Sequence, residues 1–210
     1  MRNSQGPVQA PGAPIDRVKR NRGRWMLVFL ILVCASPVLL SYFTYYVVKP
    51  RGGSTNYGAL VEPQRPIPEN LAVRNERGEI VPLRTLKGKW LMISVDGSQC
   101  GEACARKLYF MRQIRVTQAG ERDRVVNVWL RTDDAAVPEA VRRAYPDTRA
   151  FIASRDALAQ WLPVDAGTRL EDHIFLVDPN ANLMMRFPKD PDPSKIKRDL
   201  TKLLKWSGLG

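Results

Sequence analysis

Residues 89–104 read KWLMISVDGSQCGEAC, and this stretch decides the expected fold. Its first half, residues 89–96, is a continuous apolar run of strand length, which is typical of a central strand covered on both faces. Residues 101–118 then place apolar side chains at helical spacing and stop before Gly120, which predicts an amphipathic helix. A buried strand that leads directly into a helix, with two cysteines at the junction, indicates an α/β domain.

More strands and helices are expected on either side of this unit. Two short strands around a turn are expected in residues 71–83. Further strands are expected at residues 124–130, 149–153, 173–178 and 182–187, and helices at 138–145, 154–161 and 194–206. Alternating strands and helices that end in a hairpin and a helix predict an α/β three-layer sandwich with a mixed sheet, over residues 70–210.

Cys100 and Cys104 are the first candidates for chemistry. Open α/β sheets build their sites at the carboxyl ends of central strands, and the N-terminus of a helix favours the thiolate of Cys100. A spacing of four residues puts both sulfurs on one helix face. A purely structural disulfide is less favoured, because closing so small a loop stabilises the fold only slightly. The loss of chain entropy in the unfolded state contributes roughly 2 kcal/mol, against ~4.7 kcal/mol for a loop of about a hundred residues. Redox chemistry and metal binding both remain open.

His173 is the only histidine of the chain and stands at the start of the predicted hairpin strand. A single histidine is more often an ordinary packed or surface residue. If its strand runs antiparallel beside the central strand, however, His173 lies close to the two cysteines. Structural zinc normally takes four ligands, whereas two thiolates and one imidazole suit copper. One histidine and three cysteines in the whole chain exclude a three-histidine zinc centre.

Residues 25–48 contain no charged side chain and predict one transmembrane helix. At 1.5 Å per residue they span roughly 36 Å, enough for a hydrocarbon core of ~30 Å. The run exceeds the apolar stretch of about 7–15 residues in a cleaved signal sequence. A lipoprotein site at Cys34 is also disfavoured, because Val33 precedes it where a small residue is expected. We therefore expect an uncleaved anchor in the inner (plasma) membrane.

The net charge of +12 is largely explained by membrane topology rather than by nucleic-acid binding. Residues 1–24 hold six basic residues and one acidic residue, whereas only Lys49 and Arg51 stand directly after the apolar run. The positive-inside rule predicts a cytoplasmic N-terminus and a C-terminal domain in the periplasm, or outside the cytoplasm generally. Cysteines meet oxidising conditions there, and no nucleic-acid partner is expected.

The chain is thus expected to have four parts. These are a disordered cytoplasmic tail at 1–24, the transmembrane helix at 25–48, a linker rich in glycine and proline at 49–69, and the folded domain at 70–210. Within that domain, Asp133 and Asp134 indicate a helix-capping loop rather than a metal-binding pair. The last helix has a basic face that is expected to be solvated, with anionic lipid or an acidic partner as the alternative: Lys195, Lys197, Arg198, Lys202 and Lys205.

The segments GKWLMISVDGSQCGEACARKL (88–108) and EDHIFLVDPNANLMMRF (171–187) resemble the Sco/SenC family. The distinguishing marks are a C-x3-C pair and an Asp-His step before the hairpin strand, within a similarity over roughly residues 70–204. The family consists of membrane-tethered, thioredoxin-like copper proteins that assist assembly of the copper site of cytochrome c oxidase. The resemblance implies copper as cofactor, Cys100, Cys104 and His173 as its ligands, and the copper-binding subunit of the oxidase as partner.

The chain departs from the family at Gly101 and Ala105, where a proline usually follows each cysteine. The three ligand types are nevertheless present, so we expect a membrane-anchored copper chaperone. The alternative is a membrane-anchored thiol–disulfide oxidoreductase that reduces partner cysteines through Cys100 and Cys104. A third possibility is an interaction domain whose cysteines are merely retained.

Overall fold

The structure, a computed structural model, describes residues 17–44, 46 and 56–207 of the chain. It divides into two compact units, Met1–Gly53 and Ser54–Gly210. The second unit contains all the strands of the described residues and holds the three candidate site residues.

The first unit contributes one helix, α1 (Arg17–Phe43). Among the described residues, its segment Gly23–Phe43 is the one helix long and apolar enough to cross a membrane, by length and composition. The expected transmembrane segment, residues 25–48, is therefore an α-helix as far as Phe43. Most of its remaining residues lie outside the described ones. Residues 17–24 were expected in a disordered tail but form the start of α1, because arginine and lysine are good helix formers and extend the apolar helix. The rest of that tail lies outside the described residues.

The second unit is built on one eight-stranded mixed sheet. Its strands are β1 (Ala59–Pro66), β2 (Ala72–Arg74), β3 (Ile80–Pro82), β4 (Trp90–Asp96), β5 (Val125–Arg131), β6 (Thr148–Ile152), β7 (Ile174–Val177) and β8 (Asn182–Arg186). Its helices are α2 (Glu102–Val116), α3 (Glu139–Ala144), α4 (Arg155–Trp161) and α5 (Pro193–Ser207), with 3₁₀ turns at Leu83–Leu86, Ala119–Arg124 and Leu170–Asp172.

The strand order is β1-β8-β7-β4-β5-β6-β2-β3. The central strand β4 pairs parallel with β5 and antiparallel with β7, which gives the sheet its mixed character. Every residue of β4 is buried, as its continuous apolar sequence predicts. The fold is thus a thioredoxin-like α/β sandwich with a mixed sheet, and the expected fold class is confirmed.

Alternation along β4 separates the core into two faces. Leu91, Ile93 and Val95 pack in the cluster that also contains Leu158 of α4. Trp90 and Met92 pack on the opposite face, in a cluster with buried residues of α2 and α5. Because successive side chains of a strand alternate, Ser94 and Asp96 share this second face with α2. Two polar side chains therefore point into the layer where the cysteine-bearing helix packs.

The structure differs from the expected linker at 49–69, because Ala59–Pro66 forms the edge strand β1. It pairs antiparallel with β8, with Leu60 opposite Met185, and the register shifts further along. This strand was not predicted because Pro63 has no backbone N–H to donate to a neighbouring strand. An edge strand tolerates proline, since one of its sides is unpaired. The folded unit therefore begins before residue 70.

Candidate functional site

The two cysteines lie where β4 passes into α2. Gly101 caps the helix, so Cys100 stands two residues before its first turn and Cys104 lies within that turn. Cys100 has a φ of 43°, in the left-handed region that non-glycine residues seldom adopt, at a cost of roughly 1–2 kcal/mol. Its backbone N–H donates to the carbonyl of Gly97 at 3.2 Å. The surrounding loop thus holds Cys100 in a conformation that the residue alone disfavours.

Cys100 and Cys104 form a disulfide, with their Cα atoms 5.1 Å apart. Cys100 is 9% exposed and Cys104 is 3% exposed, and both pack against Leu108 and Trp129. The more exposed residue of the pair is therefore Cys100, which lies outside the helix. In this oxidised form neither sulfur is a thiolate, so the pair is available for thiol–disulfide exchange but not for metal ligation.

A hydrogen-bonded clamp fixes the loop ahead of the disulfide. The backbone N–H of the buried Ser98 donates to both carboxylate oxygens of Asp133, at 3.2 and 3.1 Å. The Ser98 hydroxyl donates to the Asp133 carbonyl at 3.2 Å and accepts from Arg131 at 3.1 Å. Arg131 also donates to the carbonyl of Ala135. Hydrogen bonds from the end of β5 and the loop after it therefore hold the loop that carries Cys100 in place.

Asp133 is the centre of this clamp, and its neighbour Asp134 is not part of it. The hydrogen bonds from Ser98 lower the pKa of Asp133. Asp134 instead forms an exposed ion pair with Arg74, 2.6 Å apart. The two carboxylates thus have separate partners, and Asp133 positions the cysteine loop, a role that is not evident from the sequence.

A buried ion pair lies between the end of β4 and α2. Lys107 Nζ is 2.6 Å from Asp96 Oδ2, and the two side chains are only 8% and 11% exposed. The hydroxyl of Ser94 donates to the same carboxylate at 2.9 Å. Burial raises the pKa of Asp96, while Lys107 acts in the opposite direction. Both charged groups therefore depend on each other for compensation.

Lys107 also joins the cysteine helix to the segment that precedes His173. Its ammonium donates to the carbonyl oxygens of Val95, at 3.3 Å, and of Glu171. Glu171 belongs to the 3₁₀ turn directly ahead of His173. The sequence offered a signal for this contact, because Lys107 lies on the same helical stripe as Cys104 and would otherwise interrupt an apolar face.

His173 stands at the start of β7, beside the end of β4. Ser94 pairs with Ile174 in the antiparallel ladder, so the next step of the register puts His173 opposite Val95. The antiparallel pairing of β7 with β4 that was expected from the sequence is therefore present. The imidazole is fully buried.

The two ring nitrogens of His173 already have partners. Nδ1 lies 2.8 Å from the carbonyl oxygen of Phe187, which can only accept, so Nδ1 carries a proton. Nε2 lies 2.7 Å from the hydroxyl oxygen of Thr168, and that hydroxyl donates to the carbonyl oxygen of Asp165 at 2.7 Å. A hydrogen bond from the far nitrogen to a carbonyl is the usual way in which a ligand histidine is oriented.

The structure brings Cys100 and Cys104 together but does not group His173 with them. Throughout residues 17–44, 46 and 56–207, no three His, Cys, Asp or Glu side chains are arranged to hold a metal ion. The donor types suit copper, but the disulfide and the Thr168 contact occupy the atoms that would bind it. The described state is therefore the oxidised one.

Comparison with known families matches residues 90–207 to a domain family described as transmembrane-like, thioredoxin-like, C-terminal domain. This match covers the unit from β4 to the end of α5, including all three candidate residues. No curated protein shows detectable sequence similarity to the chain.

Solved structures with this fold include copper-bound yeast Sco1, with 15% identity and a TM-score of 0.51 over 72% of this chain and 90% of that one. BsSco of Bacillus, a member of the Sco family of cytochrome c oxidase assembly proteins, has 14% identity and a TM-score of 0.51 over 68% and 95%. A putative electron transfer protein from Aquifex aeolicus VF5 has 12% identity and a TM-score of 0.52 over 68% and 97%. At these identities the likeness shows the fold alone, which is the thioredoxin-like fold of the matched domain family.

Proposed function

We propose, since this chain belongs to the transmembrane-like, thioredoxin-like C-terminal domain family, that it is a membrane-anchored copper-binding chaperone for cytochrome c oxidase. Copper is its cargo, and the copper-binding subunit of the oxidase is the proposed recipient. The observation that carries the proposal is that the Cys100–Cys104 pair directly follows β4, and that His173 directly precedes β7, which pairs with the end of β4. The copper bound by yeast Sco1 and the assembly role of the BsSco family support it.

Copper loading requires that the disulfide is first reduced. Reduction gives two soft sulfur donors on one side of the α2 N-terminus, and the imidazole Nε2 of His173 supplies a nitrogen donor once Thr168 releases it. Both thiols lose their protons on binding, so affinity falls as the pH falls. Exchange with a partner disulfide, which takes up the two electrons and leaves as a dithiol, would convert the two thiolates back to the disulfide, remove the sulfur donors and release the cargo.

The proposed location is the inner membrane, with the folded unit in the periplasm. The apolar helix α1 supports an anchor, and the basic residues ahead of it support a cytoplasmic N-terminus. Single-pass anchoring also suits a chaperone that delivers its cargo to a membrane-embedded enzyme.

The test is copper titration of the reduced protein, with X-ray absorption to count sulfur and nitrogen neighbours. We expect one copper ion with two sulfur donors and one nitrogen donor. His173→Ala removes the nitrogen and weakens Cu(II) binding by at least about a hundredfold, beyond the 10–100-fold cost of losing an outer-shell partner. Cu(I), which sulfur ligands hold well, is retained better.

Cysteine variants complete the test. Cys100→Ser or Cys104→Ser abolishes tight binding of both copper forms, because one thiolate and one imidazole leave too few strong ligands. Cys34→Ser, which changes the exposed third cysteine on α1, is the matched control and binds copper as the unchanged protein does. Unchanged copper binding in His173→Ala, with no nitrogen neighbour lost, would falsify the three-ligand site.

The disulfide itself favours a second candidate function, reduction of partner cysteines. In that case the thiol of Cys100, the more exposed of the pair, attacks the partner disulfide, and Cys104 then resolves the mixed disulfide. The two electrons must come from a separate dithiol reductant that re-reduces the Cys100–Cys104 disulfide. A Cys104→Ser variant that accumulates a mixed disulfide with an oxidised model peptide, in a protein whose reduced form binds no copper, would favour this function over copper delivery.

A further inference from the structure

Helix α5 presents a basic face that the core does not use. Ile196, Leu200 and Leu204 are its buried residues on the side that packs in the core. The opposite side carries five exposed cations, namely Lys195, Lys197, Arg198, Lys202 and Lys205. The single acidic residue of the helix, Asp199, is 1% exposed. The exposed side chains of α5 thus include five basic residues, and the one acidic residue of the helix is buried.

An aromatic side chain ends this basic face. Trp206 is 81% exposed, the largest exposed fraction among the large hydrophobic side chains of the described residues. Successive steps of three or four residues from Lys195 through Arg198 and Lys202 lead to Trp206, so they share one stripe of the helix. Lysine and arginine beside an exposed tryptophan are the pattern of a surface that rests on lipid headgroups.

The chain that arrives from the apolar helix is fastened to this same element. Asp199 accepts hydrogen bonds from the backbone N–H groups of Tyr57, at 2.6 Å, and Gly58, at 2.9 Å. The Tyr57 hydroxyl accepts from the N–H of Asp192 at 3.0 Å, and Lys195 lies 5.2 Å above the Tyr57 ring. A side chain at Gly58 would clash with Phe187, with a Cβ only 2.8 Å from the ring. The first described residues of the folded unit are therefore held on α5.

We infer that the basic face of α5, with Trp206 at its end, docks on the anionic lipid headgroups of the membrane in which the chain is anchored. The inference rests on the proposed membrane anchor. Only residues 47–55 separate the described end of the apolar segment from Asn56, so a short tether gives α5 a high effective concentration at the bilayer. Each cation near an anionic surface increases the affinity for the bilayer by about fivefold. This attraction alone gives weak membrane binding, but together with an anchor it is sufficient to hold α5 at the bilayer.

The test uses the full chain in bilayer nanodiscs of phosphatidylcholine alone or of phosphatidylcholine with phosphatidylglycerol. Brominated lipid quenches tryptophan fluorescence at the bilayer surface, and the difference between the unchanged chain and Trp206→Phe isolates the signal of Trp206. We expect this signal to be quenched in the anionic discs and not in the neutral ones. High salt should relieve the quenching, because it screens exposed charges.

Charge reversal provides the matched comparison. Lys197→Glu, Arg198→Glu and Lys205→Glu together should lower docking by at least about a hundredfold and reduce Trp206 quenching to the level in neutral discs. The control reverses three exposed cations elsewhere on the folded unit, Arg77→Glu, Lys87→Glu and Lys89→Glu, and should retain the quenching. Equal quenching in both disc types, or equal loss in both triple variants, overturns the docking.

The anchor is tested separately in the same samples. A chain that resists alkaline extraction from the bilayer but shows no Trp206 quenching overturns the docking and leaves the anchor intact. A chain that alkali extracts overturns the anchor, and the docking with it. Loss of quenching together with charge-dependent binding to an acidic protein would assign the basic face to that class of partner and overturn the lipid proposal.

Discussion

Lys107 and Asp96 illustrate how single residues determine what surrounds the disulfide. Both are charged and both are almost entirely buried, so each is tolerated only because the other is 2.6 Å away. A buried pair contributes little net stability compared with apolar residues of the same size, but removal of one partner is strongly destabilising. Here the pair also links the cysteine helix to the turn before His173, through the Glu171 carbonyl.

The first prediction concerns this pair. Lys107→Met leaves the Asp96 carboxylate buried without a counter-ion, so the free energy of unfolding of the unit from residue 54 onward should fall by about 3–5 kcal/mol. Combining it with Asp96→Leu should recover most of the loss. Arg106→Met, which breaks only the exposed Arg106–Glu102 pair, should cost less than about 1 kcal/mol. Urea unfolding measures all three, and a loss in Lys107→Met no larger than in Arg106→Met contradicts the prediction.

The sequence singles out the candidate site residues but not the residues that support them. Cys100, Cys104 and His173 stand out by type, because the chain has so few cysteines and one histidine. Asp96 and Lys107 do not, since a charged residue at the end of a strand or within a helix is ordinarily solvated. Only the packing of α2 against β4 shows that both side chains enter the same buried layer.

At the scale of elements, the loops after β4 and β5 act together. Ser98 and Asp133 join them through three hydrogen bonds of 3.1–3.2 Å, and this contact sets the entry to Cys100. Parallel neighbouring strands have their carboxyl ends at the same edge of the sheet, so the order of elements brings these loops together. The side-chain partners within them depend on loop conformation, which hydrophobic periodicity does not encode.

The second prediction follows from this contact. Asp133→Ala removes the acceptor of the Ser98 N–H and should loosen the loop, so the Cys100–Cys104 disulfide should be reduced faster by dithiothreitol. Loss of about 1 kcal/mol of hydrogen bonding corresponds to a roughly fivefold change. Asp134→Ala, which affects only the exposed pair with Arg74, is the control and should leave the reduction rate unchanged. Equal rates in Asp133→Ala and the control would show that the clamp does not govern the disulfide.

The order of elements from β2 to α5 was predicted correctly, because each carries a clear apolar period or a continuous apolar run. The edge strand β1 was missed for a physical reason. Its sequence ALVEPQRP has neither alternation nor enough apolar residues, and the strand forms by pairing with β8. Such a strand is specified by its neighbour rather than by its own sequence.

At the scale of the whole molecule, charge is distributed unevenly between the two units. Basic residues precede the apolar helix, and the folded unit carries a further basic face on α5. These two sets have different roles in the proposed protein. The first is proposed to fix the orientation of the anchor, and the second is proposed to hold the folded unit at the bilayer surface.

The third prediction concerns orientation. Alkaline phosphatase fused after Gly210 should be active, since that enzyme forms its disulfides outside the cytoplasm, and β-galactosidase at the same position should be inactive. The reason is the cluster Arg17, Lys19, Arg20, Arg22 and Arg24 ahead of the span, against Lys49 and Arg51 after it. Replacing the five residues of the cluster by glutamine should reduce phosphatase activity and produce β-galactosidase activity, because the basic bias then favours the other orientation. The same five changes placed at exposed basic residues of the folded unit should leave both reporters unaffected. A fusion active only with β-galactosidase in the unchanged chain would place the cysteines in a reducing compartment, and neither the periplasmic location nor delivery to an oxidase could then be maintained.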